Sequence, residues 1–133
     1  MAIQLSVTLR NNKAGQLETT VGTTGTLEIR SGAAPANCAA ADTGTLLASI
    51  TLPADWLTAA SNGAVSINGT WQDASADATG TAAHFRIKTG ATCHLQGTCS
   101  ASEGGGDMIL NSTSLVAGGT FSVTSFTLTE GNA

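Results

Sequence analysis

The sequence is poor in charge. Only 11% of its 133 residues are Asp, Glu, Lys or Arg, against about a quarter in typical soluble domains. Five Lys or Arg stand against nine Asp or Glu, a formal net charge of −4. Such a chain carries no basic footprint for nucleic acid. Aromatics make up 4% and tyrosine is missing. General acid–base chemistry gathers His, Asp, Glu, Lys or Tyr in a pocket. Here two His and a few carboxylates are scattered along the chain, which speaks against an enzyme. No apolar run approaches the roughly 20 residues that a membrane helix needs. Met1-Ala2-Ile3-Gln4-Leu5-Ser6 has neither a charged n-region nor an apolar h-region, so no secretory signal is visible. With 41% hydrophobic residues and little charge, the chain lacks the signature of disorder. What it has in quantity is Ala, Gly, Thr and Ser, roughly half of all residues, far above average usage. Length and composition together indicate one Thr-rich β domain with a single core.

Residues 1–25 read differently from the rest. Ile3, Val7, Arg10, Ala14, Leu17 and Val21 fall on helical spacing, which predicts a helix over about 4–19 that ends near Gly22. From residue 26 to 133 the period is two. Leu27 and Ile29, then Leu46, Ala48, Ile50 and Leu52, then Val65 and Ile67, then Phe85 and Ile87 each mark one face of a strand. Cys93, Leu95, Gly97 and Cys99 share a face in the next, and a short strand follows at 108–111. Asp55 to Ala60 suits one helical turn. In the last run, 120–129, Phe121 and Val123 are out of phase with Phe126 and Leu128, which predicts a β-bulge near Ser125 or a strand passing between two sheets. The class is mainly β: an antiparallel β-sandwich or jelly roll with an N-terminal helix or arm. The arm is expected to reach a neighbouring subunit or to lie on the sandwich edge.

No constellation announces chemistry. Cys93 and His94 beside Cys99 hint at zinc, but strand neighbours point to opposite faces and no CxxC pair exists. Neither metal nor cofactor is expected. Three cysteines without a secretory signal predict reduced, structural thiols; a Cys38–Cys93 disulfide stays open for an extracellular particle. His84, Arg86 and Lys88 are expected on the polar face of their strand, toward solvent or a neighbour. Asp73 and Asp77 suit a loop with local Asx turns rather than a calcium site. Gly104-Gly105-Gly106 precedes an acidic residue and a strand, not the helix of a phosphate loop.

Three segments carry a resemblance. Leu27-Glu28-Ile29-Arg30-Ser31-Gly32-Ala33-Ala34-Pro35 resembles a strand and loop of small structural-region proteins of tailed bacteriophages and prophages. The run from Thr70-Trp71-Gln72-Asp73 to His84-Phe85-Arg86-Ile87 is similar to the most characteristic part of that group. Asp107 to Ser114, with Val123 to Thr129, resembles its C-terminal half. The resemblance implies a virion protein, assembled in the bacterial cytoplasm, and brings no catalytic residues with it. Within that context the expected role is a capsid decoration or cement protein that bridges major capsid subunits. Its partners would be the major capsid protein and copies of itself, with no nucleic acid, membrane or small-molecule substrate. A tail, connector or fibre-associated protein is the alternative, and a host-glycan-binding module a further one, for which Trp56 and Trp71 are the available aromatics. The candidate interface residues are Arg10, Arg30, Arg86, Lys88, Trp56 and Trp71.

Overall fold

The computed structural model describes residues 3–102 and 104–133. Met1 and Ala2 of the 1–25 segment, and Glu103 of the Ser100–Gly106 loop, lie outside the described residues.

Helix α1 spans Val7–Val21. Its start is fixed by Ser6, an extended residue whose hydroxyl accepts the Leu9 amide at 3.1 Å. Its end is Gly22, whose φ of 80° suits glycine and whose N–H donates to the Glu18 carbonyl. The helix therefore begins three residues later than its apolar spacing suggests, at the first residue after a capping side chain. Arg10, Ala14 and Val21 lie on its buried face, and Ala14 and Val21 belong to the core. Polar ties fix it further. Arg10 Nη1 donates to Asn62 O at 3.0 Å, Glu18 Oε2 accepts Leu57 N at 2.6 Å, and Asn11 Oδ1 accepts Gly63 N at 2.7 Å. The helix is thus part of the domain, not an arm lying free of its core.

Among the described residues ten strands follow: β1 Thr26–Arg30, β2 Leu46–Thr51, β3 Ala64–Ser66, β4 Gln72–Asp73, β5 Gly80–Thr81, β6 His84–Thr89, β7 Thr92–Ala101, β8 Met108–Leu110, β9 Ser114–Leu115 and β10 Phe121–Thr129. The main sheet runs β2-β1-β6-β7-β8-β10-β3, with β4 also on β10, and β5 pairs with β9 separately. Every pairing is antiparallel except β7 with β8. The sheet curls until β4 reaches β2, where Ser49 N donates to Asp73 Oδ2 at 3.1 Å. The result is a sandwich-like, jelly-roll-like β domain, as the alternation predicts.

Inside the curl lie Leu27, Ile29, Phe85, Ile87, Met108, Leu110, Phe121 and Val123. All five aromatic side chains are buried. Four form a chain of contacts: Trp56 to Trp71 at 5.7 Å, Trp71 to Phe126 at 5.9 Å, and Phe126 edge-on to Phe85 at 5.7 Å. Both tryptophans are thereby withdrawn from the surface that an interface or a glycan would need.

Three irregularities decide which side chains face in. The β10–β8 register shifts between Val123 and Ser125, which reconciles Phe121 and Val123 with Phe126 on one face. The β1–β2 register shifts so that Leu47, not Leu46, is fully buried. Residues 55–60 form no helical turn; Leu57 instead makes an isolated bridge to Ile67.

Because Ala14 is fully enclosed, enlarging it is costly. Ala14→Leu is expected to lower unfolding free energy by ~1–3 kcal/mol, read as a shifted urea midpoint. Removing residues 2–20 is expected to abolish the cooperative transition; a truncated chain that melts like the parent would contradict this packing.

Candidate functional site

Strand β6 is buried on both faces. One face, Phe85 and Ile87, belongs to the core. The other carries His84, Arg86 and Lys88, which are 1%, 2% and 7% exposed. The cover is the long connection between β1 and β2, residues 31–45, folded back as a flap. The expectation that these three side chains meet solvent or a neighbour is therefore corrected: a connection whose composition reads as open loop closes over them.

The flap has little apolar surface to drive this, and polar contacts hold it. Arg86 Nη2 donates to the carbonyls of Cys38 (2.9 Å), Ala40 (3.1 Å) and Asn37 (3.4 Å). Its Nη1 donates to Asp42 Oδ1. His84 Nδ1 lies 2.7 Å from Gly32 O; since a carbonyl only accepts, this nitrogen carries the proton. From β7, Gln96 Nε2 donates to Pro35 O at 2.8 Å. Within the flap, Asn37 Oδ1 accepts the amides of Ala39 and Ala40 in an Asx turn.

Asp42 is the focus of the charges. Lys88 Nζ reaches its Oδ2 at 2.7 Å and Glu28 Oε1 at 3.5 Å. Arg30 bridges Glu28 at 3.0 Å and Asp42 at 3.3 Å. The Lys88 hydrogen bond, seconded by that of Arg86 and by the Arg30 charge, outweighs desolvation and holds the Asp42 carboxyl below its usual range. Three cations thus meet two carboxylates beneath one loop. Neither Glu28 nor Asp42 stands out by sequence spacing.

A covalent bond closes the flap. Cys38 and Cys93 form a disulfide across 55 positions of sequence, with Cα atoms 5.2 Å apart. Reduced thiols were the expectation for both, and a shared face for Cys93 and Leu95. The correction comes from a bulge: Ile87 pairs with Leu95 but Lys88 with Cys93, leaving His94 as the extra residue. That slip turns Cys93 to the flap face while Leu95 stays on the core face. Bonded to Cys38, Cys93 is no zinc ligand. Cys99 keeps its thiol, buried, with its pKa pushed up to about 12 by burial and by the Asp107 charge.

The candidate residues therefore divide. Arg30, Arg86 and Lys88 come together, beneath the flap. Arg10 ties α1 to residue 62, and Trp56 and Trp71 fill the core. Lys13 pairs with Glu130 at 3.2 Å. All five Lys and Arg side chains are thus hydrogen-bonded or paired within the chain, Lys13 in an exposed surface pair and the other four in part-buried ones. Chemically the arrangement is a clamp: each group orders backbone or balances charge. Among the described residues, no three His, Cys, Asp or Glu side chains converge as a metal site.

Two measurements check the clamp. Because Asp42 titrates below its unfolded value near ~3.9, its contribution is complete above that pH and is lost as pH falls through the lower folded-state value. Asp42→Asn is expected to be less stable at neutral pH and to show a shallower acid limb in urea midpoints between pH 7 and 2; parallel curves would refute the assignment. Thiol titration should find no reactive thiol in the native oxidised protein, one in denaturant and three after reduction. Reduction should cost about 4 kcal/mol, the chain-entropy value for a loop of this length.

Comparison of the chain with models of protein families, with curated proteins and with solved structures finds no match in any of the three.

Proposed function

We propose that this chain is a non-enzymatic structural protein of a tailed-phage virion, a capsid decoration protein that cements major capsid subunits. The resemblance of three segments supports the virion context. The observation that carries the rest is the distribution of side chains. The aromatic side chains and the cations Arg10, Arg86 and Lys88 are buried, whereas Ile3, Val7, Leu9 and Val116 are large apolar residues left exposed. Three of those four lie in the first nine residues. Such a surface suits packing against other protein more than holding a substrate. Cementing in this form relies on apolar contact and shape, not on cations meeting an acidic shell, because Arg30, Arg86 and Lys88 are already paired.

The disulfide supports an exterior position, since such bonds persist in oxidising surroundings. Many copies, each adding a modest interface, stabilise the assembled shell by mass action. Particles made without the protein are expected to release their genome at a lower temperature, and added purified protein should restore the parental value. Unchanged heat resistance, or antibody labelling confined to the tail or portal vertex, would reject cementing in favour of a tail or connector role.

A further inference from the structure

One stretch of the main sheet lacks a strand. β8 covers only Met108–Leu110 between β7 and β10. Just before it, Asp107 turns its carboxylate onto β7, where Oδ2 accepts the Thr98 amide at 2.9 Å and its hydroxyl at 3.0 Å. That amide points away from β6. Backbone groups alternate along an antiparallel strand, so Gln96, two residues earlier, aims its N–H and C=O the same way. No strand pairs with it on that side among the described residues.

The opposite wall behaves alike. Glu130 N donates to Gly63 O on the β3 side, which puts Leu128 in that phase and turns the backbone groups of Thr127 and Thr129 toward β7. Between the walls lies a cleft of about 320 Å³. Phe85, Leu95, Phe126 and Leu128 line it, with Gln96, Asp107 and Thr127 at its sides. Backbone groups of Gln96 on one wall and of Thr127 and Thr129 on the other, without a strand partner among the described residues and over a largely apolar floor, are what an added strand would satisfy.

The occupant must be extended, short and apolar at alternate positions. Three wall residues from Thr127 to Thr129 span about 10 Å, the length of three or four strand residues. Ile3-Gln4-Leu5-Ser6 has that length and that alternation. Its last residue is already extended, at φ −64° and ψ 157°. Ile3 is 77% exposed, and Leu5 N donates to Asn132 O at 2.7 Å, holding the chain's own segment outside its own cleft. We propose that Ile3–Ser6 of a second copy inserts between β7 and β10, completing the sheet and linking copies of the chain. This deepens the assembly reading by naming how copies join, and it is tested on purified protein, so it stands or falls apart from any role in particles.

The full-length protein is compared at low and high concentration by amide hydrogen exchange. Gln96, Thr127 and Thr129 are expected to slow by roughly tenfold or more at high concentration, and Ile3→Asp, a change at an exposed residue, should abolish the slowing. Mixed under mild oxidation, Ile3→Cys protein and Thr127→Cys protein should give a cross-linked heterodimer that Leu5→Asp in the donor prevents. Exchange independent of concentration, or absence of the heterodimer, would overturn the proposal. So would an internal cross-link formed within the diluted Ile3→Cys/Thr127→Cys double variant, which would mean the segment fills its own cleft.

Discussion

A guanidinium removed from water has to be surrounded by acceptors, and Arg86 is 2% exposed. Its hydrogen bonds go to three flap carbonyls and to Asp42, so strand β6 and the flap specify each other. Were the flap to lift, three peptide oxygens and a carboxylate would lose their donor together. Were Arg86 missing, a connection of mostly Ala, Gly and Asn would have little reason to lie down. Breaking such a buried arrangement at one partner typically costs ~3–5 kcal/mol. The neighbouring contacts of Lys88, Arg30, His84 and Gln96 depend on the loop position that this interaction sets.

The low charge of the sequence acquires a physical meaning here. A small domain with few cations buries three of them, Arg10, Arg86 and Lys88, and several of its carboxylates, though nearer the surface, are bound to its own backbone. Glu18 caps a peptide N–H at Leu57, Asp73 ties β2 to the chain after β4, and Asp107 closes the end of the β7 ladder. These carboxylates work as backbone ligands. The domain is consequently unequal on its two sides: fastened by charge and sulfur over β1, β6 and β7, and, among the described residues, without a strand between the facing ends of β7 and β10.

Alternation made the framework legible. Leu27 with Ile29 and Phe85 with Ile87 announce the paired central strands, and the phase slip between Val123 and Phe126 announces the bulge found there. Gly22 marks the end of α1, while its start falls later than apolar spacing predicts because the Ser6 cap, not Ile3, sets it. The candidate site was harder to read. A bulge residue leaves no trace in a period-two pattern that still looks regular, so spacing predicts Cys93 on the face of Leu95, and the bulge at His94 reverses it. Nor does spacing tell that the long connection of residues 31–45 folds back over its own sheet. The available signal lay in conjunction: a cysteine and an aspartate in the loop between β1 and β2, beside cations concentrated on one face of β1 and β6.

The Cys38–Cys93 bond has a mechanical consequence. When tension is applied at the chain ends, it passes from residue 38 to residue 93 through sulfur, bypassing the chain between two residues 55 apart in sequence. Strands β2 to β6 therefore sit off the load path, and α1, β1 and β7 to β10 carry the force. Fully drawn out, the oxidised chain is shorter by about 190 Å than the reduced one, at roughly 3.5 Å per shielded residue. A protein so linked stretches until the crosslink is taut and then stops, retaining β2 to β6 as an unstretched loop.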